Sequence, residues 1–148
     1  MILFHQVPIE CINHVAVEYQ VPAALIMAII QVEGGSAGLA MSNTNGTFDL
    51  GVMQINSSWA ATFEQKGYSI ADVQNDPCKN VDVGTWILSQ CLANDSNNLI
   101  QAVGDYHSHT PSLNHAYAVK VLSDYQIIHD TLDSVISPKC KKLGEICN

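Results

Sequence analysis

The chain contains no arginine, and its six lysines stand against fourteen acidic residues, which gives a formal net charge of −8. Proteins that bind nucleic acid neutralise phosphates with clustered lysine and arginine side chains, and this composition does not supply them. Nucleic acid is therefore excluded as an expected partner. Attraction by charge to any anionic polymer is disfavoured for the same reason, so a partner protein or a binding cleft would have to provide targeting.

Long apolar runs are also missing. No apolar stretch reaches the about 18–20 residues that a membrane-spanning helix needs. The opening MILFHQVP is too short for a secretory signal and lacks its charged first region. We therefore expect either a mature domain with an added initiator methionine or a protein exported by another route. Five cysteines without metal-ligand spacing favour an oxidising compartment.

A length of 148 residues with 47% hydrophobic residues suits one domain with a real core. We predict this domain at residues 1–137 and a polar, cysteine-containing tail at residues 138–148. The hydrophobic periodicity predicts a mainly α fold (α+β) with helices at 9–19, 22–33, 57/58–66, 69–74, 76/77–93, 99–107 and 112/113–128. The last helix is expected to bury a stripe made of Ala116, Val119, Leu122 and Tyr125.

The first candidate catalytic residues lie in residues 21–56, VPAALIMAIIQVEGGSAGLAMSNTNGTFDLGVMQIN. Pro22 suits the first turn of a helix, and Gly34-Gly35 suits its end, so Glu33 is predicted to close a helix that is apolar on nearly every face. Burial and the negative end of the helix dipole both disfavour the ionised carboxylate and raise its pKa. Glu33 is therefore a candidate acid that keeps its proton near neutral pH. The alternative is an ordinary solvated glutamate at a helix end.

A second carboxylate, Asp49, follows in a polar, glycine-rich stretch that predicts a short β-hairpin with Asn45-Gly46 as a turn signal. An aspartate there is expected to stay hydrated and ionised. Two carboxylates in contrasting environments are the arrangement that cleaves glycosidic bonds. The alternative is that Asp49 only hydrogen-bonds its own turn.

Residues 46–59, GTFDLGVMQINSSW, resemble the signature of the lysozyme-like lytic transglycosylases, especially the small ones that accompany secretion systems, conjugation machines and pili. The D-x-G-x-x-Q-I-N-S core also resembles the stretch of animal lysozymes that carries their second carboxylate, and lysozyme is the enzyme for which the pKa argument above was established. Residues 102–111, AVGDYHSHTP, resemble the tyrosine motif of the same family. The resemblance covers about residues 8–126 and implies a lysozyme-like fold.

The resemblance implies roles for individual residues. Glu33 would be the catalytic acid and base, with Asp49 as a possible second carboxylate, and the Tyr106 hydroxyl would lie against Glu33. In relatives a serine follows the glutamate, so here either Ser36 replaces it or this contact is lost. The remaining substrate-binding candidates are Phe48 for stacking on glycan, Gln54 and Asn56 for N-acetyl groups, and also Met53 and His107.

Several of these residues also have structural explanations. The amides of Gln54 and Asn56 could simply pair the hairpin backbone, and Tyr106 has the helical spacing of a core residue. Trp59 and Trp86 are expected in the core, since an aromatic side chain on a helix usually serves packing. His107, His109 and His115 fit no usual zinc spacing, so we expect no metal.

The implied reaction is cleavage of the β-1,4 bond between N-acetylmuramic acid and N-acetylglucosamine in peptidoglycan, with a 1,6-anhydro product and no cofactor. The implied setting is the periplasm or the cell exterior, with a secretion, conjugation or pilus machine as partner and a monomeric enzyme. Two alternatives stay open. One is a hydrolytic muramidase that uses Glu33 and Asp49, and the other is a non-catalytic subunit that binds the wall.

The cysteine pairing rests on the same resemblance, because close relatives carry cysteines at the positions of Cys11 and Cys78. We therefore expect these two to form a disulfide. Cys140 and Cys147 are close enough in sequence to close the tail, which leaves Cys91 as an odd thiol. In an alternative pairing, Cys91 captures Cys140.

Overall fold

The structure is a computed structural model that describes the backbone of residues 1–143 and the side chains of residues 1–135. It confirms a mainly α architecture with small antiparallel sheets. The strands are β1 (Leu3–Phe4), β2 (Val7–Pro8), β3 (Ala40–Ser42), β4 (Phe48–Leu50) and β5 (Ile55–Asn56). The helices are α1 (Ile9–Tyr19), α2 (Ala23–Glu33), α3 (Ala60–Gln65), α4 (Ile70–Asn75), α5 (Pro77–Asn94), α6 (Leu99–His107) and α7 (Pro111–Leu143).

Helix α2 is the centre of the core, and it ends at Glu33 as predicted. Ile26, Ala28, Ile29 and Ile30 are almost completely buried on it, because the helix packs against both α1 and α7. Gly34 then takes the left-handed conformation at φ 63° and its N–H donates to the Ile30 carbonyl, which stops the helix. The acidic side chain is thereby fixed at the edge of the apolar core.

The predicted β-hairpin is present as part of the sheet β3–β4–β5. Asp49 on the central strand pairs with Met41 on one side and with Asn56 on the other. This register brings the side chains of Asp49 and Asn56 together. The sheet therefore carries the polar side chains of Asp49 and Asn56 next to each other.

A buried amide holds the turn that follows β4. Asn80 is 1% exposed, accepts a hydrogen bond from the Met53 N–H at 2.9 Å and donates to the Leu50 and Val73 carbonyls at 2.8 Å each. A Cβ on Gly51 would lie 2.3 Å from the Asn80 amide nitrogen, so only glycine fits there. Asn80 thus fixes the sheet to α4 and α5.

Two predictions about helix α5 are confirmed. Asp76 caps it by accepting from the N–H groups of Cys78 and Lys79, and Pro77 is its first residue. A disulfide joins Cys11 of α1 to Cys78, with their Cα atoms 5.5 Å apart. Closing a loop of 67 residues corresponds to roughly 4 kcal/mol in the chain-entropy treatment.

The prediction for α7 was wrong in length and in face. The helix continues past residue 128 to Leu143: residues 129–137 contain neither glycine nor proline, and Pro138 lies within the helix. Ala116 and Val119 are exposed, whereas Leu122 and Tyr125 are half-buried. The fully buried face comprises Asn114, Tyr117, Ala118 and Val121.

Three smaller points complete the fold. The predicted helix 57/58–66 is a 3₁₀ turn at Ser57–Trp59 followed by α3, and Asn56 rather than a serine caps that turn. Within the described residues, no helix is both long enough and apolar enough to cross a membrane. The predicted Cys140–Cys147 bridge and the possible Cys91–Cys140 bridge lie outside the described side chains, and Cys91 is a free, half-buried thiol among the described residues.

Candidate active site

A cleft of about 860 Å³ runs between the sheet and the helices α5 and α6, with the end of α2 at its base. Most of its lining residues are polar. The lining residues that matter below are Glu33, Asp49, Gln54, Asn56, Trp59, Asn94, Asp105, Tyr106, His107 and His109. Both predicted carboxylates therefore belong to the same cleft.

Glu33 has the environment that the sequence predicted for an acid. Burial is the main cause that raises its pKa, and the nearby charge of Asp49 adds to it. A hydrogen bond from the Tyr117 hydroxyl to Oε1, at 2.8 Å, acts in the opposite direction. The net result is a pKa of about 7, so a large share of Glu33 is protonated at neutral pH.

Asp49 lies on the sheet side of the cleft, in contact with polar side chains. The Asn56 side-chain nitrogen donates to Oδ1 of Asp49 at 3.0 Å, and the same nitrogen lies 3.0 Å from the Thr47 hydroxyl. Asn56 also accepts from the Ser58 N–H through its side-chain oxygen. The Asn56 side chain thus holds Asp49 and caps the 3₁₀ turn rather than pairing the hairpin backbone, and it is at the same time part of the cleft wall.

Gln54 and Gly35 explain why two glycines follow Glu33. Gln54 is left-handed at φ 52°, and its side-chain nitrogen donates to the Gly51 carbonyl at 2.8 Å. A Cβ on residue 35 would lie 2.1 Å from that carbonyl oxygen and 2.9 Å from the Gln54 side chain. Gly35 therefore lets the chain after α2 lie directly against the turn that carries Gln54.

The expected contact between Tyr106 and Glu33 is absent. Among the described residues, Glu33 receives its side-chain hydrogen bond from Tyr117 on α7, and the Tyr106 hydroxyl donates instead to the Met53 carbonyl at 3.0 Å. Tyr106 still lines the cleft, and its ring lies parallel to that of Tyr117 at a centroid distance of 6.4 Å. The prediction named the right aromatic cluster but the wrong hydroxyl.

Tyr117 is the main functional residue that sequence reasoning missed. It is 7% exposed, and the His107 ring stacks on it at 4.7 Å with an interplanar angle of 13°. The signal was present, because Asn114, Tyr117, Ala118 and Val121 follow the i, i+3, i+4, i+7 spacing of one helical face. The stripe predicted from apolar residues alone was a poor guide because Asn114, a polar residue, belongs to the buried face.

Asp105 was also missed, and it holds the corner between α6 and α7. Its Oδ1 accepts from the side-chain nitrogens of Gln101 and Asn114 at 2.7 Å each, and His109 Nδ1 lies 3.2 Å away. A Cβ on Gly104 would collide with the Asn114 side chain at 2.1 Å. These close contacts keep the second half of the tyrosine motif at the edge of the cleft.

Three predicted substrate-binding residues are not among the cleft-lining residues in the described part of the chain, namely Ser36, Phe48 and Met53. Met53 is fully buried, and Phe48 is 43% exposed. Trp59 lines the cleft although the core was predicted for it. Its ring is 37% exposed and meets Trp86 edge-on at 5.9 Å, and Trp86 packs against the core.

No group of three histidine, cysteine, aspartate or glutamate side chains suitable for a metal ion occurs among the described residues. His107 stacks on Tyr117, and His109 lies beside Asp105. The cleft therefore offers carboxylates, amides and aromatic rings for its chemistry.

Comparison with known proteins fits this geometry. Residues 10–126 match the family described as the Transglycosylase SLT domain. The chain belongs to this family. The match covers most of the chain and includes α1 to α6, all three strands of the cleft sheet and the part of α7 that carries Tyr117.

The sequence identity between the chain and individual relatives is modest. The chain is 29% identical to Protein IpgF of Shigella sonnei over 102 residues, which are 68% of this chain and 66% of IpgF. It is 32% identical to Invasion protein IagB of Salmonella typhimurium over 113 residues, which are 73% of this chain and 70% of IagB. The match thus spans slightly less than two thirds of IpgF.

Proposed function

We propose that this SLT-domain chain is a lytic transglycosylase that cleaves the bond between N-acetylmuramic acid and N-acetylglucosamine in peptidoglycan. The observation that carries the proposal is Glu33, a half-buried carboxyl group with a pKa of about 7 in a cleft of about 860 Å³ lined mostly by polar residues. A general acid works best when its pKa lies near the working pH. Membership of the SLT family supports the same reaction class.

In the first step, Glu33 gives its proton to the glycosidic oxygen, and the bond between that oxygen and the anomeric carbon breaks. Because Tyr117 donates to Oε1, it orients the carboxyl group and leaves Oε2 to carry the transferable proton. The anomeric carbon gains positive charge as the leaving sugar departs. Asp49 in its ionised form stabilises that charge from the other side of the cleft.

In the second step, Glu33 is ionised and takes the proton of the muramic 6-hydroxyl. The 6-oxygen then bonds to the anomeric carbon of the same sugar, which gives a 1,6-anhydro end and returns Glu33 to its acid form. No water is consumed and no net proton is gained or lost. The two-way proton transfer requires a carboxyl group whose two forms are both accessible near neutral pH, and the pKa of about 7 meets that requirement.

The second candidate is a hydrolytic muramidase. It is favoured by Asp49, which matches the second carboxylate of animal lysozymes and is fixed towards the cleft by Asn56. In that reaction a water molecule attacks the anomeric carbon, so the product keeps a reducing end. A non-catalytic wall-binding subunit would instead retain sacculi without releasing products.

Mass spectrometry of muropeptides released from purified sacculi separates these reactions. The anhydro product is lighter than the hydrolytic product by one water, and we expect it to dominate. Products with reducing ends would favour the muramidase, and binding without released products would favour the wall-binding subunit. Glu33→Gln protein serves as the control for contaminating activity.

The proposed place of action is the periplasm or the cell exterior, because peptidoglycan lies outside the cytoplasm. The proposed partner is a secretion, conjugation or pilus apparatus that needs a local opening in the wall. This is supported by the family resemblance and by the name of the relative IagB, an invasion protein. The boundary at residue 137 and the tail disulfide Cys140–Cys147 remain predictions.

A further inference from the structure

The charges around the cleft have one sign. Three carboxylate residues line it, namely Glu33, Asp49 and Asp105, and no lysine is among the described residues that do. Lys66 and Lys79 are paired with Asp82 and Asp72 and lie outside the lining. The lining thus offers acidic groups and no lysine to a proposed substrate that is itself negatively charged.

The substrate can carry its charge in two ways. Each muramic acid bears a lactyl group whose carboxyl is either joined to a peptide stem as an amide or, once the stem is removed, free as a carboxylate. An amide is neutral at this position, and the stem's own charges lie several bonds further from the sugar. A free lactyl carboxylate adds a negative charge next to the ring that must enter the cleft.

Resting on the proposed function, we infer that the cleft selects strands whose lactyl carboxyl is amide-linked and discriminates against strands with free lactyl carboxylates, with Asp105 as a specificity-determining residue. Asp105 suits this role because it is held in place by Gln101 and Asn114, and its side chain is only 11% exposed. A charge fixed in a partly dehydrated wall is screened less than one on a mobile surface side chain. The enzyme therefore acts before the reaction class that removes stems, an amidase reaction, rather than after it.

A pair of substrates that differ only in this charge tests the inference. Glycan strands freed of stems are divided in two, and the lactyl carboxylates of one half are converted to primary amides. We compare kcat/KM on both substrates at the same pH. The amidated strands should be cleaved at least about threefold faster at an ionic strength of about 0.01 M.

Salt and two matched pairs of variants locate the effect. Raising the ionic strength to about 1 M shortens the Debye length to about 3 Å. The ratio of kcat/KM on amidated strands to kcat/KM on strands with free carboxylates should then come close to one. Asn94→Lys places a cation on the exposed cleft edge at the end of α5 and should lower the ratio, whereas Asn13→Lys on α1 should not. Asp105→Asn should lower it as well, whereas Asp130→Asn on exposed α7 should not.

The outcomes are distinct from a failure of the proposed function. Cleavage of neither substrate would reject the transglycosylase assignment itself. Cleavage of both at equal rates in low salt, or a preference that Asn94→Lys leaves unchanged, would overturn only the charge selection. A folded Asp105→Asn protein that keeps the full preference would overturn the role of Asp105. If that variant fails to fold because its contact with Asn114 is altered, the Asn94→Lys and Asn13→Lys pair still decides whether charge at the cleft selects the substrate.

Discussion

The two sides of the cleft hold their key groups in opposite ways. On the helical side, Glu33 lies at the end of a buried helix and receives a hydrogen bond from the buried Tyr117. On the sheet side, Asp49 lies on a three-residue strand among amide and hydroxyl groups. The two neighbours also shift the pKa of Glu33 in opposite directions, since Tyr117 lowers it and Asp49 raises it. The working pKa is thus a balance that each side can disturb separately.

The largest effect is expected from removing the acid on the helical side. Glu33→Gln keeps the shape of the side chain but removes the transferable proton, so activity on sacculi should fall by at least about 10²–10⁴-fold. The measurement is the rate of product release, with circular dichroism to verify that the fold is unchanged. A variant that keeps more than half of the wild-type activity would contradict the assignment of Glu33.

A smaller loss is expected on the sheet side. Asp49→Asn removes the charge that stabilises the developing positive centre, so the rate should fall by roughly tenfold or somewhat more, without a change of product. Because the charge of Asp49 raises the pKa of Glu33, the alkaline fall of the rate should also move to lower pH. Unchanged kinetics would reduce Asp49 to a turn residue, and a switch to hydrolytic products would mean that it controls the entry of water.

Tyr117→Phe should disturb the balance in the other direction. Loss of one hydrogen bond to a carboxyl group should slow the reaction by about tenfold or less. Since that bond lowers the pKa of Glu33, its removal should move the alkaline fall of the rate to higher pH. Tyr106→Phe is the matched control, because the Tyr106 hydroxyl donates to the Met53 carbonyl. This variant should leave the alkaline fall of the rate at its wild-type pH. Equal shifts in both variants would contradict the role assigned to Tyr117.

The smallest effect concerns stability and its dependence on pH. The folded-state pKa of Glu33 is raised from 4.5 to about 7, so between these values the folded protein holds a proton that the unfolded chain has released. The resulting stability is fully present below pH 4.5 and is lost as the pH rises through about 7. Chemical unfolding of Glu33→Gln should lack this decline, so its stability relative to wild type should increase from pH 5 to pH 8. A parallel pH profile for both proteins would argue against a buried acid.

The helices and strands bounded by proline, glycine or a capping residue were predictable from the sequence. Pro22 and Gly34 bound α2, Asp76-Pro77 begins α5, and the glycine-rich stretch gives the hairpin. The face of α7 was not predictable from its apolar residues alone, because a polar residue, Asn114, is buried there by its contacts with Asp105 and Ser108 at the end of α6. The choice between Tyr106 and Tyr117 failed for the same reason. Which hydroxyl reaches Glu33 depends on how α6 and α7 pack, and neither helix encodes that alone.

Gly34 and Gly35 are adjacent in sequence but differ in their tolerance to substitution. A Cβ at position 34 would meet nothing within 4 Å, so a serine there, as in relatives, would cost only the strain of a left-handed residue, about 1–2 kcal/mol. A Cβ at position 35 would strike the Gly51 carbonyl, so any other residue would require the turn at 51–54 to be rebuilt. A single substitution at position 34 could therefore add or remove a serine next to Glu33 during evolution. Position 35 must stay glycine for as long as the turn at residues 51–54 keeps its conformation.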